Sequence, residues 1–302
     1  MQCLREYDSP AGFLDDESYD KVLREDTDID KEDGTPLLRF RKNALTKNVC
    51  KVAYRNLRDA ATVTDNRGTA GGVVDRSRLH KQHQKRRLVM SEGATMYKPV
   101  RLDGSVSKTN HGNAVRSGIV GYYDRYTRIP YCRQTAYSLK HPERFGKSIH
   151  FFREVSDVFR DTLPMLWQRQ RDYISRTSED FYIPGTVFTT ITVNRNWQTA
   201  VHQDQGDLSE GFGCMAAFDG GGYEGGYLCF PAYRVAVDMR LGDVLLADVH
   251  EWHGNSPFRI QGPFERVSCV LYYREGIKDC GTGEEELARA KRYGAKIREE
   301  LR

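Results

Sequence analysis

What the sequence lacks narrows it first. No run of about 18 apolar residues occurs, so a membrane span is not expected. The opening residues, Met1-Gln2-Cys3-Leu4-Arg5-Glu6, hold no apolar stretch of the kind a secretory signal needs. Cysteine is sparse and scattered: seven residues, Cys3, Cys50, Cys132, Cys214, Cys229, Cys269 and Cys280, with no Cys-x-x-Cys pair. That usage excludes a module of closely spaced zinc thiolates and argues against a disulfide framework, and it points to a reducing compartment. The expectation is an intracellular protein, nuclear if the source is eukaryotic and in the host cytoplasm if it is viral. No internal repeat is present, which sets aside solenoids and propellers.

What is present suits a folded core. The chain has 302 residues, 39% hydrophobic and 11% aromatic, enough for one elaborated domain or two small ones. Its charge is unevenly placed. Residues 1–33 carry twelve acidic side chains against four basic ones, a net of −8, so the remainder carries +12 of the overall +4. A basic body behind an acidic leader fits a polyanion partner, nucleic acid most simply, or an ordinary solvated surface. A monomer is expected.

In chain order, residues 1–36 read as an acidic surface leader with one short helix near Asp16–Glu25. Residues 37–178 read as a mixed α/β region. Leu38, Phe40, Val49, Val52 and Tyr54 suggest an outer strand or two, and the Gly-rich stretch from Ala60 to Gly72 reads as a mobile loop. A basic loop follows, with Arg76, Arg78, Lys81, Lys85, Arg86 and Arg87 as six permanent cations among residues 76–87. Such a run could neutralise several phosphates or be a solvated polar loop. Phe151, Phe152, Val155, Val158, Phe159 and Leu163 recur at helical spacing. Pro164 then opens a second helix carrying Met165, Leu166, Trp167, Tyr173 and Ile174.

Residues 179–276 change to β character. Thr186–Val193 is β-branched and aromatic throughout, and further strands are expected at Phe212–Asp219, Tyr227–Pro231, Val235–Asp238, Asp243–Val249 and Arg266–Tyr273. Glycine turns separate them, with no helix between. The fold class is therefore α+β, mainly β: a double-stranded β-helix of jelly-roll type backed by helices. Residues 277–302 close the chain as a charged helix.

The chemistry concentrates in this β region. His202 and Asp204 are two residues apart at the mouth of a strand, where they can offer adjacent ligands to one metal. A third ligand comes from Asp248-Val249-His250-Glu251-Trp252-His253; His253 is favoured over His250 because the turn Gly254-Asn255-Ser256-Pro257 frees its ring to face inward. Two His and one carboxylate with positions left open form the facial triad of non-haem Fe(II) oxygenases. A lone His-x-Asp is a weak signal, and the order of elements is what strengthens it. On the last strand Arg266 and Ser268 share a face, and an Arg there can grip a carboxylate through two parallel hydrogen bonds.

Thr189–Asp207, His253-Gly254-Asn255-Ser256-Pro257-Phe258 and Arg266-Val267-Ser268-Cys269-Val270-Leu271-Tyr272-Tyr273 resemble the core of the TET/J-binding-protein dioxygenases, over roughly residues 115–275. The resemblance implies an enzyme using Fe(II), 2-oxoglutarate and O2 to oxidise the 5-methyl group of a pyrimidine flipped out of DNA. It makes His202, Asp204 and His253 the iron ligands, and Arg266 with Ser268 the holders of the distal carboxylate of 2-oxoglutarate. The cysteine-rich zinc-binding region of the animal enzymes is absent, and one algal relative uses ascorbate in place of 2-oxoglutarate.

The base expected first is 5-methylcytosine, with thymine as the alternative. By the same resemblance, the position of Asp207 is similar to that of an Asn with which the animal enzymes bond the cytosine edge. An ionised Asp207 would accept from the cytosine amino group, or else would be an exposed turn residue. Lys85, Arg86 and Arg87 are expected to meet phosphates. A small-molecule or protein hydroxylase of the same fold would keep the triad but leave those cations without a task.

Overall fold

The computed structural model describes residues 12–300. Its early strands are β1 (Lys21–Leu23), β2 (Thr27–Asp30), β3 (Pro36–Arg41), β4 (Val63–Thr64), β5 (Leu88–Val89), β6 (Lys98–Pro99), β7 (Val115–Tyr123) and β8 (Arg133–Gln134). The later ones are β9 (Thr190–Arg195), β10 (Gly213–Asp219), β11 (Tyr223–Gly225), β12 (Leu228–Phe230), β13 (Val235–Val237), β14 (Val244–Ala247), β15 (Gly254–Asn255), β16 (Phe258–Ile260) and β17 (Arg266–Tyr272). Helices α1 (Lys47–Leu57), α2 (Ala136–Lys140), α3 (Pro142–Thr162), α4 (Pro164–Arg176) and α5 (Gly283–Glu300) complete the frame.

Two sheets face one another. The larger runs β2-β3-β14-β10-β17-β9-β7-β4, with β8 attached to β7, and the smaller runs β1-β13-β12-β15. The centre of the larger sheet is antiparallel in unbroken register, with Ala216 opposite Cys269 and Cys269 opposite Val193. Alternation along β17 then sorts its side chains. Val267, Cys269 and Leu271 enter the core beneath the helices. Arg266, Ser268, Val270 and Tyr272 face the space between the sheets.

That sorting defines two cores. On the outer face Phe151, Phe152, Val155 and Phe159 of α3 pack with Ile191, Phe218 and Val244. Between the sheets Phe40, Met215 and Leu245 meet Phe230, Val235 and Val237. The second core fills only part of the inter-sheet space, and the rest is the cavity described below. This is the double-stranded β-helix backed by helices that the periodicities predict. The five strands expected after Thr186–Val193 all form, within two residues at each end. Pro142 and Pro164 each open a helix at its first turn, where a missing N–H costs nothing.

Three expectations are corrected. Residues 1–11 lie outside the described residues, but residues 12–36 are no surface leader. β1 pairs in parallel with β13, and β2 pairs with β3. Their acids neutralise cations of the body: Asp28 and Asp30 hold Arg39, Asp20 holds Arg234, and Asp16 holds Arg259. Residues 47–57 form a helix rather than an outer strand, because Val49, Cys50, Ala53 and Leu57 make one buried stripe and Thr46 caps its start through Val49 N–H. Finally, Cys132 and Cys280 form a disulfide across 148 residues, with Cα atoms 5.9 Å apart. The odd, scattered count concealed a pair that only the tertiary fold brings together. Cys50, Cys214, Cys229 and Cys269 are free and buried.

Candidate active site

His202 and His253 lie side by side in an antiparallel bridge, each backbone N–H donating to the other residue's carbonyl at 2.9 and 3.0 Å. Gly254 permits the close approach: a Cβ there would stand 3.1 Å from Val201 N and 3.2 Å from Ala200 O. The two rings are oriented by the same device. His202 Nδ1 faces Ala200 O at 2.8 Å, and His253 Nδ1 faces Glu251 O at 2.9 Å. A carbonyl only accepts, so Nδ1 carries a proton in both rings and Nε2 is the atom left to ligate a metal. Both Nε2 atoms turn toward Asp204, at 3.6 Å from Oδ1 and 3.8 Å from Oδ2. Burial, and then the neighbouring His202 ring, push the His253 imidazole down to about 4, so it stays in the neutral form that binds metals.

These donors open onto a cavity of about 570 Å3 between the sheets, within the usual range for a small-molecule site. Arg266 and Ser268 stand on its β17 wall, as their shared face predicts. Arg266 is buried, with its backbone N–H on Asn196 Oδ1 at 2.7 Å and its guanidinium 5.9 Å from the Phe258 ring centre. The donor set therefore fits Fe(II): two imidazole Nε2 atoms and a carboxylate converge, and an Arg stands on the same cavity wall.

Asp207 lines the cavity too, rather than standing exposed on a turn. Burial, and then the Asp204 carboxylate, raise its carboxyl well above the ordinary range, against an opposing pull from Arg274. Its Oδ2 is closed to solvent and meets no hydrogen-bond partner among the described residues.

His250 is drawn elsewhere. It bonds Asp248 Oδ1 at 3.1 Å, and Asp248 also binds Lys31 Nζ at 2.6 Å. Burial works against Asp248's charge, yet the bonds from His250 and Lys31 outweigh it and hold the carboxyl at about 2. Lys85, Arg86 and Arg87 do not line the cavity; Lys85 and Arg87 are exposed on the loop and Arg86 is half-buried.

Two cavity cations are absent from the sequence-based expectations. Arg274 continues the even-numbered face of β17 by one more step, so its placement was open to the same alternation that found Ser268. Its Nε bonds Asp124 Oδ1 at 2.6 Å, and it lies 5.6 Å from the Tyr123 ring centre. Arg67 comes from the Gly-rich loop, where composition gives no direction. Its Nε is closed to solvent without a partner among the described residues.

A double-stranded β-helix with such a donor set is the architecture of the Fe(II)- and 2-oxoglutarate-dependent oxygenases. Residues 118–275 match the Tet_JBP family, the oxygenase domain of the 2OGFeDO superfamily. The chain belongs to that family, whose cosubstrates are 2-oxoglutarate and O2 at Fe(II). It is 32% identical over 225 residues to the thymine dioxygenase JBP1 of Crithidia fasciculata, covering 72% of this chain and 26% of the relative. It is 36% identical over 172 residues to the bifunctional helicase and thymine dioxygenase JBP2 of Leishmania braziliensis, covering 56% of this chain and 15% of the relative. The chain thus spans about a quarter or less of these relatives' lengths. Among solved structures, NgTET1 in complex with 5mC DNA superposes with a TM-score of 0.57 over 92% of this chain and 88% of that one. At 15% identity this likeness shows the fold alone.

Proposed function

We propose that this chain hydroxylates the 5-methyl group of a pyrimidine flipped out of DNA, with thymine as the first substrate and 5-methylcytosine as the second. The observation that carries the reading is the convergence of His202, Asp204 and His253 on a cavity whose wall also bears Arg266 and Ser268. The first three would hold Fe(II), and the last two would hold the distal carboxylate of 2-oxoglutarate. Thymine leads because the relatives at 32% and 36% identity carry that substrate in their names.

When bound, Fe(II) with 2-oxoglutarate and O2 supplies the oxidation: the cosubstrate loses CO2 to become succinate, and one oxygen atom converts a methyl C–H to C–OH. The chain's residues bind, orient and exclude water. Arg266 fixes the cosubstrate with a planar fork, and its burial strengthens that contact by excluding water. A base stacked in a duplex cannot reach the cavity, so it must be flipped. Tyr272 and Trp197 offer faces for it, Arg67 and Arg274 offer donors, and Asp207 offers a carboxyl that both donates and accepts while protonated. Lys85, Arg86 and Arg87 would meet phosphates outside the cavity.

The test is incubation with matched duplexes containing thymine alone or thymine with 5-methylcytosine, followed by nucleoside mass spectrometry. The reading expects 5-hydroxymethyluracil as the main product, dependent on 2-oxoglutarate. Turnover with ascorbate alone would overturn the cosubstrate assignment, and 5-hydroxymethylcytosine as the sole product would put 5-methylcytosine first.

A further inference from the structure

A second cluster of two His and one carboxylate, none of them lining the cavity, forms from Asp65, His83 and His111. The pairing of β4 with β7 creates it. Val63 lies opposite Arg116 and Thr64 opposite Val115, so the residue after β4 and the approach to β7 meet at one end. Asp65 O accepts from Gly112 N–H at 2.5 Å, and Asp65 Oδ2 lies 2.9 Å from His111 Nδ1. His111 also exchanges both backbone hydrogen bonds with Tyr97, at 2.7 and 2.9 Å. The basic loop brings the third member, with the His83 and His111 ring centres 4.6 Å apart. One donor atom from each of the three lies within 4.8 Å of the others.

The chain satisfies part of this cluster, with Gln82 Nε2 3.1 Å from His83 Nε2 and His111 paired to Asp65, but leaves two buried polar atoms over. His83 is only 6% exposed, and its Nδ1 meets no hydrogen-bond partner among the described residues. Tyr97 is 1% exposed and packs 5.9 Å from His83 and 5.8 Å from His111 between ring centres. Its hydroxyl is likewise without a partner among the described residues. Two buried polar groups left unsatisfied in one cluster are uncommon in native folds and call for a ligand. Imidazole nitrogens with a carboxylate oxygen are donors for a divalent transition metal, and zinc takes such sets at four positions.

We propose that Asp65, His83 and His111 bind a divalent transition-metal ion, zinc first, at a site separate from His202, Asp204 and His253. Asp65 and His111 side chains are 22% and 18% exposed, which leaves room for water as the remaining ligand. The ion fastens the loop bearing Lys85, Arg86 and Arg87 to the stretch that begins at Asp65. That stretch supplies Asn66, Arg67 and Thr69 to the cavity wall. The site is therefore structural, and it joins the basic loop to the rim of the cavity.

The test counts zinc on the full chain after chelator treatment, by equilibrium dialysis and elemental analysis. Wild type should bind two ions and Asp204→Ala one, because the triad also accepts zinc. Adding His83→Gln to Asp204→Ala should remove the second ion and abolish the zinc-induced rise in melting temperature. If His83→Gln impairs folding, Asp65→Asn in the Asp204→Ala background serves instead and should weaken zinc by about tenfold or more. An Asp204→Ala chain that binds no zinc, or folded second-site variants that bind it unchanged, would overturn the proposal and leave the cluster as an Asp65–His111 pair stacked on His83.

Discussion

His202 and His253 are hydrogen-bonded to each other through both backbone N–H groups, at 2.9 and 3.0 Å, and each ring is turned by a carbonyl two residues before it. The fold thereby sets the direction of both imidazoles before any metal arrives. Preorganisation of this kind concerns His253 and not His250, whose ring is committed to Asp248. His253→Ala is expected to abolish turnover while His250→Ala retains most of it. Steady-state assays of the two variants check this, and the reverse pattern would mean that the third ligand is His250.

Arg266→Lys keeps the charge and loses the planar fork. The KM for 2-oxoglutarate should rise by about tenfold or more, equivalent to ~1.4 kcal/mol, with a smaller change in the KM for DNA. Titration of 2-oxoglutarate at saturating DNA reads the effect. An unchanged KM would remove Arg266 from the cosubstrate.

Asp207 gives a pH signature. Its carboxyl pKa is raised by burial and by Asp204, so the folded chain holds that proton more tightly than the unfolded one. Stability is therefore lost as pH rises above the unfolded value near 3.8 and until the folded value is passed. Asp207→Asn cannot ionise and escapes the loss. In the metal-free chain the variant should melt higher than wild type, by a margin that widens as pH rises from about 4. A margin constant across that window contradicts the burial argument.

The same residue bears on the base. A protonated carboxyl resembles a carboxamide in offering both a donor and an acceptor. Asp207→Asn should shift the preference between thymine and 5-methylcytosine by less than the roughly tenfold that removing a hydrogen bond to the base edge produces. Competition assays on mixed substrates measure it, and a larger shift would mean that Asp207 meets the base as an accept-only carboxylate.

Neutralising Lys85, Arg86 and Arg87 should weaken DNA binding and reduce its salt dependence, by about one unit of log–log slope for each phosphate no longer engaged. Binding measured across salt concentrations checks this. A slope equal to that of wild type would leave these side chains as a solvated surface.

Much of the fold is legible in the sequence because β17 sends alternate side chains to opposite faces, and α3 repeats its burial every three or four residues. The same period places Arg266 and Ser268 on one wall and extends to Arg274, one step past the end of the strand. The failures share a different cause. β1 and β2 stand at the ends of the two sheets, where charged side chains reach solvent and protect an edge; by composition they look like a leader. α1 hides because its buried stripe is short and interrupted by Lys51 and Arg55. Cys132–Cys280, Arg67 and the Asp65–His83–His111 cluster depend on long-range approach, which no local pattern records. The burial of Asp207 beside Asp204 belongs with them, since its place in a turn does not record it.

His202, Asp204 and His253 are proposed to support oxidation of a methyl group in DNA. The most direct measurement treats duplex DNA with wild type and with Asp204→Ala in Fe(II), 2-oxoglutarate and O2, then quantifies modified nucleosides and succinate together. The account predicts a hydroxymethylpyrimidine accompanied by at least an equal amount of succinate, with the nucleoside absent for the variant. Succinate formed by wild type without any modified nucleoside, or a modified nucleoside persisting in Asp204→Ala, would contradict it.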